Sequence, residues 1–153
     1  MEVVLLIENS EGGYLITQIK QIGSRIFERL LADAGVDAFN GPQGRILYVL
    51  WQADNIPIVE LARKSGLAKT TLTSMLDRME ESGLIERIFD RVDRRQIRIS
   101  LTATARALRN EYNQVSATMN EIYFKGFTEE EIILFENTLR RILDNITEKE
   151  RNL

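Results

Sequence analysis

From Tyr14 to Leu31, apolar side chains recur at Leu15, Ile19, Ile22, Ile26 and Leu30. Steps of three and four residues place them along one stripe of a helix. Gly35 and the run Asn40-Gly41-Pro42 interrupt the pattern. Proline is tolerated in the first turn of a helix, so a second one is expected from Pro42 through Ile46, Leu47, Leu50 and Trp51. Asp54, Asn55 and Pro57 close it. Ile58 to Lys64 reads as a short helix with Val59, Leu61 and Ala62 apolar, and Ser65-Gly66-Leu67 supplies a tight turn with glycine at a left-handed position. A further helix over Lys69 to Glu81 buries Leu72, Leu76 and Met79 and leaves Lys69, Thr70, Thr73, Ser74, Asp77 and Arg78 on a polar side. Two short helices joined by a glycine-containing turn form a helix-turn-helix unit.

After Gly83 the period changes. Leu84-Ile85-Glu86-Arg87-Ile88 and Gln96-Ile97-Arg98-Ile99-Ser100-Leu101 read as two strands, the second alternating with a period of two. The charged segment Phe89-Asp90-Arg91-Val92-Asp93-Arg94-Arg95 closes them into an antiparallel hairpin, a wing behind the second helix of the unit. Thr102 is a good N-cap for one helix of roughly 20 residues, with Ala105, Leu108, Tyr112, Val115, Met119 and Ile122 in steps of three and four. Thr128-Glu129-Glu130-Glu131 then reads as a cap followed by acids at the positive end of a last helix, whose stripe is Ile132, Phe135, Leu139, Ile142 and Ile146.

The fold class expected is mainly α with a small β-hairpin wing: a winged helix-turn-helix with long terminal dimerisation helices. Residues 1–153 form a single domain in which 42–101 are the DNA-binding lobe and 14–35 and 102–148 the dimerisation helices. The terminal stripes are too long for the small lobe to cover, and a symmetric homodimer accounts for them.

Composition narrows the chemistry. The 153-residue chain has 44% hydrophobic residues, enough for an ordinary core, and two prolines. It contains neither cysteine nor histidine, which excludes disulfides, thiolate or imidazole metal sites and Cys/His or Ser/His catalysis. The 23 acidic residues sit mostly among basic ones at helix-surface spacing, so no catalytic residue, metal site or cofactor is expected and the protein is not read as an enzyme. The apolar run Val3 to Ile7 is too short for a spanning helix or a signal-peptide core, which points to a cytoplasmic protein. The net charge of −3 argues against nucleic acid, yet residues 60–101 hold nine Lys/Arg against seven Asp/Glu, a local excess of +2. A basic middle between acidic ends fits a lobe that faces an anionic polymer.

The order of elements resembles the MarR family, the multiple antibiotic resistance regulators of bacteria and archaea, from about Tyr14 to Thr147. Leu61-Ala62-Arg63-Lys64-Ser65-Gly66-Leu67 is similar to the family's first helix-turn-helix segment. Leu76-Asp77-Arg78-Met79-Glu80-Glu81-Ser82-Gly83-Leu84-Ile85-Glu86-Arg87 is similar to its recognition-helix exit, and Asp93-Arg94-Arg95 with Ser100-Leu101-Thr102 to its wing. Two positions depart from the pattern: Ala68 stands where a capping residue is common, and Ser74 where a basic one is frequent.

The resemblance implies a homodimeric, sequence-specific regulator, a repressor that binds an inverted-repeat operator in duplex DNA. Lys69, Thr70, Thr71, Thr73, Ser74 and Arg78 are the candidate contacts on the recognition helix, offering donors to a major groove about 12 Å wide. Arg91, Arg94 and Arg95 are the candidates in the wing. Arg94 is the first choice for the minor groove, which suits a planar, permanently charged and weakly hydrated guanidinium. Arg95 or Arg91 could instead pair with Asp93 or Asp90 and shape the loop. The resemblance also implies a small-molecule effector, for which Arg25, Tyr48 and Trp51 are candidate lining residues, although aromatic side chains at helical spacing also suit a core. Lacking cysteine, the chain cannot sense peroxide through a thiol as part of the family does. A different class of function remains open: a winged-helix protein-interaction module without sequence-specific DNA binding, supported by the acidic overall charge.

Overall fold

The computed structural model describes residues 2–153. The chain contains α1 (Glu2–Glu8), α2 (Gly12–Asp33), α3 (Gly41–Gln52), β1 (Ile56–Pro57), α4 (Ile58–Ser65), α5 (Lys69–Glu81), β2 (Ile85–Phe89), β3 (Ile97–Leu101), α6 (Ala103–Ala107), α7 (Arg109–Tyr123) and α8 (Glu129–Arg151). It divides into two compact units, one ending at Ala117 and the other spanning Thr118–Leu153. Among the described residues no helix is long and apolar enough to cross a membrane.

In the first unit the helix boundaries follow from local chemistry. Asn40 opens α3 with a capping box: its side chain accepts from the Gln43 N–H (2.9 Å), and the Gln43 side chain accepts from the Asn40 N–H (3.1 Å). Gly66, at φ 73°, ends α4 and donates its N–H to Ala62 O. Ala68 starts α5 without a side-chain cap, as its methyl group requires. At the other end Gly83 (φ 79°) donates to Glu80 O while Leu84 donates to Met79 O, a Schellman closure. Leu84 is occupied by that closure, so β2 begins one residue later than the alternation suggests.

β2 and β3 pair antiparallel with Ile85 opposite Leu101 and Arg87 opposite Ile99. β1, which sequence patterning does not reveal, pairs with the other side of β3 through Ile56 and Ile99, giving the order β1-β3-β2. Two residues ending in proline carry no readable alternation, and proline is at home on a sheet edge. The core beneath the sheet contains the fully buried Leu47, Leu50, Leu61, Leu72, Leu76, Met79, Ile85 and Ile99.

The helix expected to run unbroken from Thr102 is divided. Thr102 caps α6 by accepting from the Ala105 N–H, but Leu108 donates its N–H back to Ala105 O, closing a tight turn before α7. The Ala105 carbonyl also accepts from the Trp51 indole N–H (3.0 Å). A partner on α3 thus engages the group that would bond one residue further along a regular helix. A second constraint joins the same elements. Gly44 on α3 lies so close to α7 that a Cβ there would stand 2.9 Å from the Tyr112 ring.

The second unit holds the end of α7, a turn and α8. Gly126 (φ 84°) makes the turn, and Thr128 and Glu131 form a reciprocal capping box at the start of α8. The Glu131 carboxyl lies below the usual carboxylate range because the Thr128 backbone and hydroxyl hydrogen-bond to it. Phe124 meets Phe127 and Phe135 edge-on at 5.8 and 5.9 Å between ring centres. Within α8 no residue is buried.

Candidate nucleic-acid interface

Leu72, Leu76 and Met79 anchor α5 in the core. At about 100° per residue, Thr70 and Ser74 stand opposite them, while Lys69 and Thr73 lie toward the flank that faces β2. All six helix candidates, Lys69, Thr70, Thr71, Thr73, Ser74 and Arg78, are exposed. The Thr73 hydroxyl donates to Lys69 O (2.8 Å), which leaves its oxygen free to accept.

The loop between β2 and β3 is held by two aspartates. Asp90 Oδ1 accepts from the N–H groups of Val92 (2.8 Å) and Asp93 (3.2 Å), and Oδ2 accepts from Arg98 Nη1 (3.3 Å). The backbone donors of Val92 and Asp93, then Arg98, hold the Asp90 carboxyl below its ordinary range. Asp93 Oδ1 accepts from both the N–H and the Nε of Arg95, each at 3.1 Å. Arg95 therefore takes the loop-shaping role, and Arg98 rather than Arg91 pairs with Asp90. Arg91 and Arg94 are exposed and make no hydrogen bond or ion pair among the described residues.

Two arginines outside the candidate set do structural work. Arg98 also reaches Asn55, donating from Nη2 to its carbonyl at 2.6 Å and from Nε to its side chain at 3.2 Å; Asn55 adopts a left-handed φ of 55°. Arg87 pairs with Asp77 at 2.7 Å and Glu80 at 3.1 Å. Strand alternation was the available signal for Arg87. It is two residues from buried Ile85, on the same face of β2, so its stem runs along the packed side and its guanidinium reaches the acids of α5.

The effector candidates separate. Tyr48 and Trp51 lie against Tyr112, with ring centres 6.0 and 5.2 Å away, in a cluster completed by Phe27 and Phe39. Trp51 is half-buried and hydrogen-bonded, whereas Tyr48 is about half exposed. Arg25 is exposed and makes no hydrogen bond or ion pair among the described residues. Arg45, overlooked in the sequence, donates to the Tyr112 hydroxyl at 3.2 Å and stands 5.4 Å over the Phe27 ring. Burial pushes the Tyr112 hydroxyl above its ordinary pKa, against the opposing pull of Arg45. Among the described residues no group of acidic side chains is arranged to hold a metal ion.

Comparisons with known proteins agree with this geometry. A family model described as the MarR family matches residues 39–97. An HTH-type transcriptional regulator of Bacillus subtilis, YsmB, itself uncharacterized, is 32% identical over 131 residues, covering 86% of this chain and 85% of its own. Among solved structures, a mutant MarR from E. coli complexed with operator DNA superposes with a TM-score of 0.78 at 27% identity, over 91% of this chain and 98% of that one. A MarR transcriptional regulator from Methanosarcina mazei also reaches 0.78, at 21% identity over 89% and 96% of the two chains, a likeness of fold.

Proposed function

The chain belongs to the MarR family of transcription regulators, and from that premise we propose that it is a homodimeric repressor that binds an inverted-repeat operator in duplex DNA. The observation carrying the reading is the polar head of the first unit. An α5 anchored by three buried side chains exposes Lys69, Thr70, Thr71, Thr73, Ser74 and Arg78, and the following hairpin loop offers Arg91 and Arg94, which have no hydrogen-bond or ion-pair partner among the described residues. Hydroxyls and guanidinium groups on a convex helix and a protruding loop suit base edges and phosphates of the two grooves. Arg95 joins them at the loop, held by Asp93; exposed pairs of this kind are weak enough to exchange for phosphate. The likeness to a MarR complexed with operator DNA supports the same partner here.

The dimer reading is supported by the apolar side chains that α2 and α8 leave exposed, among them Leu15, Ile19, Ile22, Phe135, Leu139, Ile142 and Ile146. A two-fold pair would place the recognition helices on half-sites about 10 base pairs apart, centre to centre. A small-molecule effector would act where Tyr48, Trp51 and Tyr112 meet Arg45, with Arg25 of α2 as a further lining residue. Such a regulator works in the cytoplasm beside its operator.

The test is a fluorescence-anisotropy titration against duplex DNA at several salt concentrations. Affinity is expected to fall steeply with salt, because each neutralised phosphate releases a counterion. Binding that ignores salt, or no binding, would support the protein-interaction module that the net charge of −3 favours.

A further inference from the structure

Asp77 and Glu80 are an obstacle on α5. They project from the flank that also carries Lys69 and Thr73, where a carboxylate repels an approaching phosphate. Arg87, from β2, answers both. Its Nη2 donates to Asp77 Oδ1 at 2.7 Å and to the Thr73 carbonyl at 3.3 Å; its Nη1 donates to Glu80 Oε1 at 3.1 Å; and its backbone N–H donates to Glu80 Oε2 at 3.2 Å. Residues 73, 77 and 80 lie on successive turns of one helical face, so a single guanidinium spans the length of the flank. Its side chain is 21% exposed while those of Asp77 and Glu80 are 62% and 44% exposed, so the weight of the contact lies in one planar fork meeting several acceptors rather than in burial. A lysine could not replace it, because one ammonium lacks the planar fork that reaches three acceptors in fixed directions.

We infer that Arg87 is a positioning residue for DNA recognition rather than a DNA contact. It masks the Asp77 and Glu80 carboxylates, and it locks the strand leading into the loop onto the helix that faces the groove. The exposed face of α5 and the free arginines of the loop then move as one body. This inference rests on the reading of the chain as a duplex-DNA regulator.

Two variants separate masking from positioning: Arg87→Met, which keeps the apolar stem, and Arg87→Met combined with Asp77→Asn and Glu80→Gln, which removes the exposed acids as well. The probes are a duplex selected from a random library by the unaltered protein and a random-sequence duplex of the same length. Arg87→Met is expected to weaken binding to both, by about tenfold or more for the selected duplex. The triple variant regains affinity for the random duplex but not the preference for the selected one, and the salt slope stays at the value of the unaltered protein. A slope reduced by about one ion per subunit would make Arg87 a phosphate contact and overturn the inference; so would an undiminished preference. Amide hydrogen exchange of the free protein examines the lock without DNA. Exchange in the hairpin loop should accelerate in Arg87→Met and, from the helix side, in Asp77→Asn. Unchanged exchange in both removes the lock, whereas an unaltered protein that binds neither duplex removes the functional reading and leaves the exchange result standing.

Discussion

The helix-turn-helix head and the helix α8 expose opposite kinds of surface. The head buries Leu47, Leu50, Leu61, Leu72, Leu76 and Met79 and presents hydroxyl and charged groups, with Val59, Ile88, Phe89 and Val92 as its exposed apolar exceptions, and no buried side-chain nitrogen or oxygen among the described residues lacks a hydrogen-bond partner. By contrast α8 buries none of its residues and exposes Ile133, Leu134, Phe135, Leu139, Ile142, Leu143 and Ile146. The first half of α2 behaves like α8, with Tyr14, Leu15, Ile16, Ile19 and Ile22 exposed. On each helix taken by itself, exposed apolar residues repeated along a stripe fit an interaction surface. The contrast is between a head whose core is filled by its own residues and terminal helices whose apolar stripes, under the proposed dimer, would meet a second copy.

The sharpest way to break that comparison is to charge the exposed stripe. Leu139→Glu with Ile142→Glu would be harmless on a solvent-facing helix. If the stripe is a subunit interface, burying unpaired carboxylates costs several kcal/mol, on the order of 3–5 in all. Sedimentation equilibrium should then shift from a dimer to the 17.6 kDa chain. An unaltered protein that is already a monomer at micromolar concentration would end the contrast.

The completeness of the head is tested next by overfilling it. Gly44→Ala would place a Cβ 2.9 Å from Tyr112 Cε2 and 3.2 Å from Phe39 Cε2. Overpacking of this kind costs about 1–3 kcal/mol, read as a lowered midpoint in thermal unfolding. A midpoint that does not move would mean the α3 contact with Tyr112 is loose.

Changes on the polar surface should move binding and spare stability. Arg94→Ala is expected to weaken duplex binding by about 1–3 kcal/mol with an unchanged melting curve. Equal affinity in anisotropy at fixed salt would strike Arg94 from the interface. Lys69→Ala should have a smaller effect, lowering affinity for all sequences alike and reducing the salt slope by about one ion per subunit. Replacement of Thr73 by Val should instead penalise the preferred site over random DNA.

The smallest effect concerns the loop and acid. The Asp90 carboxyl is held below its ordinary value of 3.8 by the backbone donors of Val92 and Asp93 and by Arg98. Because the folded pKa is depressed, its contribution is complete above 3.8 and is lost as pH falls through the lower folded value. Amide exchange at Val92 and Asp93 should therefore be steady through neutral pH, once corrected for intrinsic rates, and lose protection only in that acid window. Asp90→Asn should flatten the pH dependence.

The architecture was legible because its signals are local. Gly66 and Gly83 end helices through their own left-handed backbones, Thr128 announces its cap within four residues, and the change of period after Gly83 separates strand from helix. The exposed candidates on α5 were readable for the same reason, since three buried positions orient the whole helix. Among the arginines local reading stopped short. Arg87, Arg91, Arg94, Arg95 and Arg98 look alike in a charged hairpin, yet Arg87 is tied to α5, Arg98 to Asn55, and Arg91 and Arg94 to nothing among the described residues.

By itself, the sequence determined the order and type of the main elements, the inward faces of α3 and α5 and the family resemblance, because periodicity and capping depend on residues a few positions apart. Only the tertiary structure decided which arginines are struts, that β1 completes the sheet, and that the helix after Thr102 breaks at Leu108. Each of these depends on a partner brought from far along the chain: Asn55 to Arg98, Ile56 to Ile99, and Trp51 to the carbonyl of Ala105. A charged or hydrogen-bonding group takes whichever partner the fold delivers, and its spacing along the chain carries no record of that choice.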